Sequence, residues 1–291
     1  MNPIMKWTAL TLAVCLPLSA QAHRAWMLPS ATVLSGEEPW ITVDAAVSND
    51  LFYFEHFPMR LQGIGEAATQ PAGGPPGMRP RPAAVLQVIA PDGSKVQPQN
   101  GAMGRYRSTF DVHLQQKGTY KLAVANQGLF ASWKENGETK RWMGKPEEFA
   151  KQVPAKAGEL KVSQNNSRME VFVTSGAPTE TVLKPTGQGL ELSPLTHPND
   201  LFAGEAADFV MLLDGQPAAG VEVSVIPGGN RYRDDLGEIK TSTDAKGKFS
   251  VTWPTAGMYW LEAELTTDRN VKAPATERRA SYSATLEVLA P

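Results

Sequence analysis

Four histidines, His23, His56, His113 and His197, carry most of the metal chemistry open to this chain, and the first has an unusual place. It follows Ser19-Ala20-Gln21-Ala22. Before that come a basic start, Met1 to Lys6, and an apolar run, Trp7 to Leu18. This is the layout of an export leader with an A-x-A cleavage site. Cleavage after Ala22 makes His23 the first residue of the mature chain and gives it a free α-amine. Amine and imidazole then offer two nitrogen donors from one residue, a chelate for a single ion. Imidazole suits zinc, copper, iron and nickel. The plain alternative is that some residue has to follow a cleavage site, and here it is a histidine.

His56 sits in Asn49-Asp50-Leu51-Phe52-Tyr53-Phe54-Glu55-His56-Phe57-Pro58. Four aromatics and two acids surround one imidazole. An aromatic wall that turns His56 toward the amino terminus would complete a site with His23. Asp50 or Glu55 would then be a further ligand or accept the second N–H of an imidazole. The competing reading is a hydrogen-bonded imidazole held in a core. His113 shares its strand face with Asp111 and reads as solvent-facing, because Phe110, Val112 and Leu114 take the other face. His197 lies in a Pro-containing loop, Leu195-Thr196-His197-Pro198-Asn199-Asp200, where it caps a domain junction or contributes to a site. Met27, Met59, Met78 and Met103 are thioethers suited to Cu(I), but they are scattered and read as packing residues. Trp26, Trp133 and Trp142 form no regular stripe of the kind a sugar would need, so core packing explains them.

The rest of the chain narrows the function classes. There is no G-x-S-x-G elbow, HExxH, phosphate loop or dinucleotide fingerprint, and the reading is not an enzyme. The formal net charge is −2, and loss of the leader, with Lys6 and no acid, makes it −3. A weakly acidic surface without Lys/Arg clusters argues against nucleic acid and against electrostatic attachment to anionic lipid. The apolar start is shorter than the roughly 20 residues a membrane span needs, and no later segment is long and apolar enough, so no membrane insertion of the mature chain is expected. Cys15, the one cysteine, falls in the leader, so disulfides and thiolate metal sites are excluded from the mature chain.

The elements that must position the histidines read as strands. Trp40 to Val47 alternates, with Ile41, Val43, Ala45 and Val47 on one face and Thr42 and Asp44 on the other. Val85 to Ile89, Thr119 to Ala125 and Met169 to Val173 behave similarly, separated by turns such as Pro91-Asp92-Gly93 and Lys117-Gly118. Pro146 to Gln152 alone reads as a helix, with Pro146 first and Glu147 and Glu148 in the first turn. Gly63 to Pro82 is too rich in Gly and Pro for a regular element and reads as a long loop. Ser175 to Gly189 is a second break that joins two domains. Beyond it, Val221 to Ile226, Phe249 to Trp253 and Met258 to Ala263 alternate between Gly- and Asp-bearing turns. That pattern, over roughly residues 204 to 289, resembles the transthyretin-like and collagen-adhesin-B-type sandwiches of exported proteins.

Ala22-His23-Arg24-Ala25-Trp26-Met27-Leu28-Pro29-Ser30, Asn49-Asp50-Leu51-Phe52-Tyr53, Thr174-Ser175-Gly176-Ala177-Pro178-Thr179 and Leu195-Thr196-His197-Pro198-Asn199-Asp200-Leu201 together resemble the domain-of-unknown-function 4198 family. The similarity covers nearly the whole mature chain. It implies a periplasmic protein with a β-sandwich and a transthyretin-like module, associated with nickel or cobalt uptake. His23 matches the family's initial histidine and His56 falls in its aromatic segment. The expectation is therefore an all-β chain of two β-sandwich domains, immunoglobulin-like then transthyretin-like, after a cleaved signal peptide. The boundaries are 1–22 for the leader, 23–178 for the first domain and 179–291 for the second. Its expected function is to bind a divalent transition metal ion (nickel, cobalt or copper) through His23, His56, Asp50 and Glu55, and to pass it to a membrane transporter component in the envelope. Two other readings stay open. One is a non-enzymatic envelope module that binds a protein or glycan through sandwich loops. The other is a copper oxidase built on an amino-terminal histidine and a second histidine.

Overall fold

The computed structural model describes residues 23–65 and 83–291. Residues 1–22, read above as an export leader, and most of the Gly/Pro-rich stretch, residues 66–82, lie outside the described residues. The expected fold class is the one the chain adopts: all-β, built as two sandwiches. A five-stranded sheet joins Arg24–Pro29, Trp40–Ser48, Ser108–His113 and Gln99–Met103 in that order, with Phe57–Pro58 also paired to Trp40–Ser48. A ten-stranded sheet runs through both halves of the chain. A four-stranded sheet, built on Leu190–Pro194 and Ala206–Leu213, packs on its second half. Pro146–Gln152 is an α-helix, with Pro at its start and two acids in its first turn, where they complement the helix dipole.

Each half has its own core. Met27, Ile41, Val43, Phe110, Tyr120, Leu122, Val171 and Val173 fill the first. Phe209, Met211, Trp253, Tyr259, Leu261 and Tyr282 are among those that fill the second. What joins them is a parallel pairing of Gly158–Ser175 with Glu277–Val288, in register from Ser163↔Glu277 to Val171↔Thr285. Parallel partners so far apart in sequence leave no local pattern, because each strand alternates as it would in any sheet. So the two sandwiches, read from the sequence as successive units, share one continuous sheet.

Buried charge secures the join. The Glu170 carboxylate is 3% exposed; Arg168 Nη1 donates to it at 3.2 Å, Lys121 Nζ lies 3.8 Å away, and the Tyr282 hydroxyl donates at 3.1 Å. Glu191, also buried, accepts from the amides of Thr186, Gly187 and Gln188 at 2.7–3.1 Å. These bonds tie the connector between the halves down to the sheet. A buried carboxylate left without such donors would cost several kcal/mol, roughly, so the set is satisfied as a unit.

A smaller apolar cluster fills the contact between the halves: Trp26, Ala46 and Leu51 from the first, Ile226 and Trp260 from the second. It explains one departure from the expected alternation of Trp40–Ser48. Ile41, Val43 and Ala45 are buried as expected, but Ala46 and Ser48 are buried too and Val47 is only half-buried. The second half of the chain covers what would be the solvent face at that end of the strand.

Beside this contact, burial pushes the Glu262 carboxyl up to about 7, helped by repulsion from Glu264 and Glu238 and opposed by Arg24. The folded chain therefore holds this proton more tightly than the unfolded chain does. Ionised Glu262 counts against the fold once the pH rises above its ordinary value of 4.5, and most fully above about 7. Glu262→Gln is expected to raise the melting temperature at pH 8 and change it much less at pH 4, where Glu262 is mostly protonated in both the folded and the unfolded chain. Equal shifts at both pH values in thermal melts would refute this.

Candidate metal centre

The site is assembled at one end of the strand Trp40–Ser48, where it has neighbours on both sides. Arg24–Pro29 pairs with it antiparallel, Arg24 opposite Ser48. One step further places His23 alongside Asn49. On the other side Phe57 pairs with Val47, so His56 enters the same end of the strand from the return of the loop. Strand pairing thus delivers two imidazoles to one place although they are far apart in the chain. Their ring centroids are 4.2 Å apart, with the planes tilted by 55°. His23 is exposed and His56 half-buried.

Asn49 bridges a nitrogen of each ring. Its Oδ1 is 2.8 Å from His23 Nδ1 and its Nδ2 is 2.9 Å from His56 Nε2. With that orientation of the amide, His23 Nδ1–H donates to Oδ1 and Asn49 Nδ2–H donates to His56 Nε2. Phe57 sets its ring edge against His23 at 5.7 Å and leans on His56 at 5.5 Å.

The loop from Asn49 to Glu55 is held from below by Trp26. The indole is fully buried, and its Nε1–H donates to Ser48 Oγ at 2.8 Å. The Ser48 hydroxyl in turn donates to the Asp50 carbonyl at 2.6 Å. Phe52 and Phe54 each lie 5.5 Å from the Trp26 ring, centroid to centroid. Phe52 adopts a left-handed backbone, φ 61°, and its ring presses on Gly228, where a β-carbon would come within 2.8 Å of it. Of the four aromatics expected to wall His56, only Phe57 touches the imidazoles. Phe52 and Phe54 turn inward to Trp26, and Tyr53 stacks under the Arg231 guanidinium at 4.0 Å. Large apolar rings gain more from the buried indole than from an exposed and a half-buried imidazole.

The two acids expected at the site are engaged elsewhere. Glu55 Oε1 accepts the amides of Asn49 at 2.7 Å and Asp50 at 3.1 Å. Burial raises the Glu55 carboxyl, but those two amides, with help from His56 and Arg231, outweigh it and hold the group below its usual range. Asp50 faces the second half of the chain, accepting from Asn230 Nδ2 at 3.1 Å and lying 3.6 Å from Arg231 Nη1. Among the described residues, no three His, Cys, Asp or Glu side chains converge as a metal site. The structure therefore brings His23 and His56 together and gives Asp50 and Glu55 the work of shaping the loop. Among the described residues, no other His, Cys, Asp or Glu joins the pair in a group of three.

The other histidines lie apart from this pair. The His113 ring is not open to solvent as its strand face suggested. Trp40 covers it, stacked at 4.2 Å and 7°, and Glu38 Oε2 lies 3.5 Å from its Nε2. His197 accepts the Asn199 amide at Nδ1 and sits 3.0 Å from Thr119 Oγ1, joining the connector to the shared sheet; burial lowers its proton affinity. Met27 and Met59 are core residues, Met103 is half-buried, and Met78 lies outside the described residues. Trp26 is in the core; Trp133 and Trp142 line a small cluster near the helix.

Sequence reasoning missed Asn49, Asn230 and Arg231. Asn49 had a signal, since it opens the segment that contains His56. The other two come from a loop about 180 residues away, and nothing local to either segment announces the contact.

The family described as a domain of unknown function (DUF4198) matches residues 20–267. The chain belongs to that family. No curated protein sequence matches it. Among solved structures, the D0–D1 domain of Intimin aligns over 90% of this chain and 97% of its own length, at 11% identity and a TM-score of 0.21. Among the described residues, no helix is long and apolar enough to cross a membrane.

Asn230 is the second half's main hold on the site loop, because its Oδ1 accepts the buried Leu51 amide at 2.8 Å. Asn230→Ala is expected to destabilise the fold by about 1–3 kcal/mol, the cost of a buried amide left unpaired. Amide exchange at Leu51 should accelerate as well. Unchanged denaturation and unchanged exchange would rule out this coupling.

Proposed function

We propose that this family member binds a divalent transition metal ion at the His23–His56 pair and hands it to an uptake component of the cell envelope. The observation that carries the reading is the convergence of the two imidazoles: rings 4.2 Å apart whose facing nitrogens meet one carboxamide. Two exposed or half-exposed imidazoles held this close gain little from each other in water, whereas an ion between them gains two nitrogen ligands. The export leader read at 1–22 adds a third. Cleavage after Ala22 frees the His23 amine, which closes a small chelate ring through Nδ1 of its own side chain.

A set of one amine and two imidazoles suits nickel, cobalt and copper, and intrinsic affinity favours Cu(II) among them. The absence, among the described residues, of a converged carboxylate argues against a site designed for magnesium or calcium, which take oxygen ligands. Site placement also fits hand-off. The pair sits at the rim of the sheet with His23 exposed, so a partner can reach an ion there without unfolding the loop.

The test uses protein exported with its own leader, its mature terminus confirmed by mass. Cu(II), Ni(II), Co(II) and Zn(II) are titrated calorimetrically against this protein, against a version with one extra residue before His23, and against His56→Ala. Loss of the chelate partner is expected to weaken binding about a hundredfold in the extended version. Equal affinities for the mature and extended forms would overturn the terminal chelate. Binding should also weaken by about tenfold per pH unit below about 8, the usual α-amino value, because the amine must shed its proton to ligate. An affinity flat between pH 6 and 8 would exclude the amine as a donor.

A further inference from the structure

The carboxamide that bridges the two imidazoles occupies a nitrogen of each. Asn49 uses both ends of one planar group, Oδ1 toward His23 Nδ1 and Nδ2 toward His56 Nε2. In either orientation of that amide, one facing ring nitrogen offers a hydrogen and the other a lone pair. These are also the two nitrogens an ion would need. Only Nδ1 of His23 can close a small ring with its own amine, and His56 presents Nε2 to the same side.

We propose that Asn49 is a latch across the site, and that an ion binds by displacing its carboxamide from the two ring nitrogens it bridges. The inference rests on the metal-binding reading above. The backbone at Asn49 is fixed, because its amide donates to Glu55 Oε1 at 2.7 Å and the strand ends one residue earlier. Opening therefore needs only rotation of the Asn49 side chain, with the rings left in place by Phe57 and by strand pairing. A carboxamide is a poor ligand beside imidazole and amine for copper or nickel, so such an ion gains by expelling it. An ion that prefers oxygen gains nothing from the two imidazole nitrogens and leaves the latch closed. The side chain thus sets a threshold for entry, and it keeps the two imidazoles satisfied between loadings.

Nuclear magnetic resonance on ¹⁵N-labelled mature protein tests this, with Zn(II) as the diamagnetic probe. Before zinc is added, the Asn49 carboxamide hydrogen that faces His56 should exchange slowly with water. As zinc shifts His23 Nδ1 and His56 Nε2, the Asn49 carboxamide signals should move to the positions and exchange rate of a free side-chain amide. In Asn49→Ala, stopped-flow association of Cu(II) should be about tenfold faster, since two hydrogen bonds no longer have to break first. Zinc that shifts both histidines while the Asn49 signals stay put overturns the latch and leaves the metal site standing. An unchanged association rate in Asn49→Ala does the same. Zinc that shifts neither histidine overturns the metal reading and the latch together.

Discussion

The buried indole of Trp26 is the contact on which the arrangement depends. It lies where the edge strand crosses from the first core to the second half of the chain, packed with Leu51, Ile226 and Trp260. Its single polar atom is satisfied by Ser48, which passes the hydrogen bond on to the Asp50 carbonyl. A ring of this size, fully out of water, contributes on the order of 3 kcal/mol or more. Its one hydrogen-bond direction also fixes where the strand Trp40–Ser48 ends and the loop begins. The aromatic residues of that loop fold onto it, and the two imidazoles are carried to the opposite, wetter side.

The two halves of the chain are coupled through the same region. Asn230 and Arg231 reach from the second sandwich to Leu51, Asp50 and Tyr53, while the shared ten-stranded sheet and the buried Glu170 and Glu191 networks lock the halves together behind it. A loop that would otherwise pay a large entropic cost to hold one shape is ordered by contacts on both flanks. The histidine pair is therefore a product of the whole fold, although its residues all come from the first half.

Much of the fold was legible in the sequence. The strand at Trp40 with its alternation as far as Ala45, strands around Thr119 and Met169, the short helix at Pro146 and the end of a strand at Ser175 all reappear, although the strands at Thr119 and Met169 are buried on both faces and do not alternate. The parallel pairing that fuses the sandwiches was not legible, since register between distant strands is written in no short window. At the site, His23 and His56 stood out by residue type and rarity. The roles of Asp50 and Glu55 did not, because a carboxylate that caps backbone amides looks the same in sequence as one that waits for an ion. Asn49 shows the converse: an unremarkable amide becomes the centre of the site once strand register puts His23 beside it.

The proposed function requires that strand register and a Trp26-anchored loop bring two imidazoles, together with the amine that cleavage after Ala22 would free at His23, onto a single ion. Pulsed electron paramagnetic resonance of the mature protein with one equivalent of Cu(II) counts the coordinated imidazoles directly. The account expects two equatorial imidazoles in the mature protein and one after His56→Ala. A spectrum with a single imidazole before substitution, or one unaltered by it, would contradict the account.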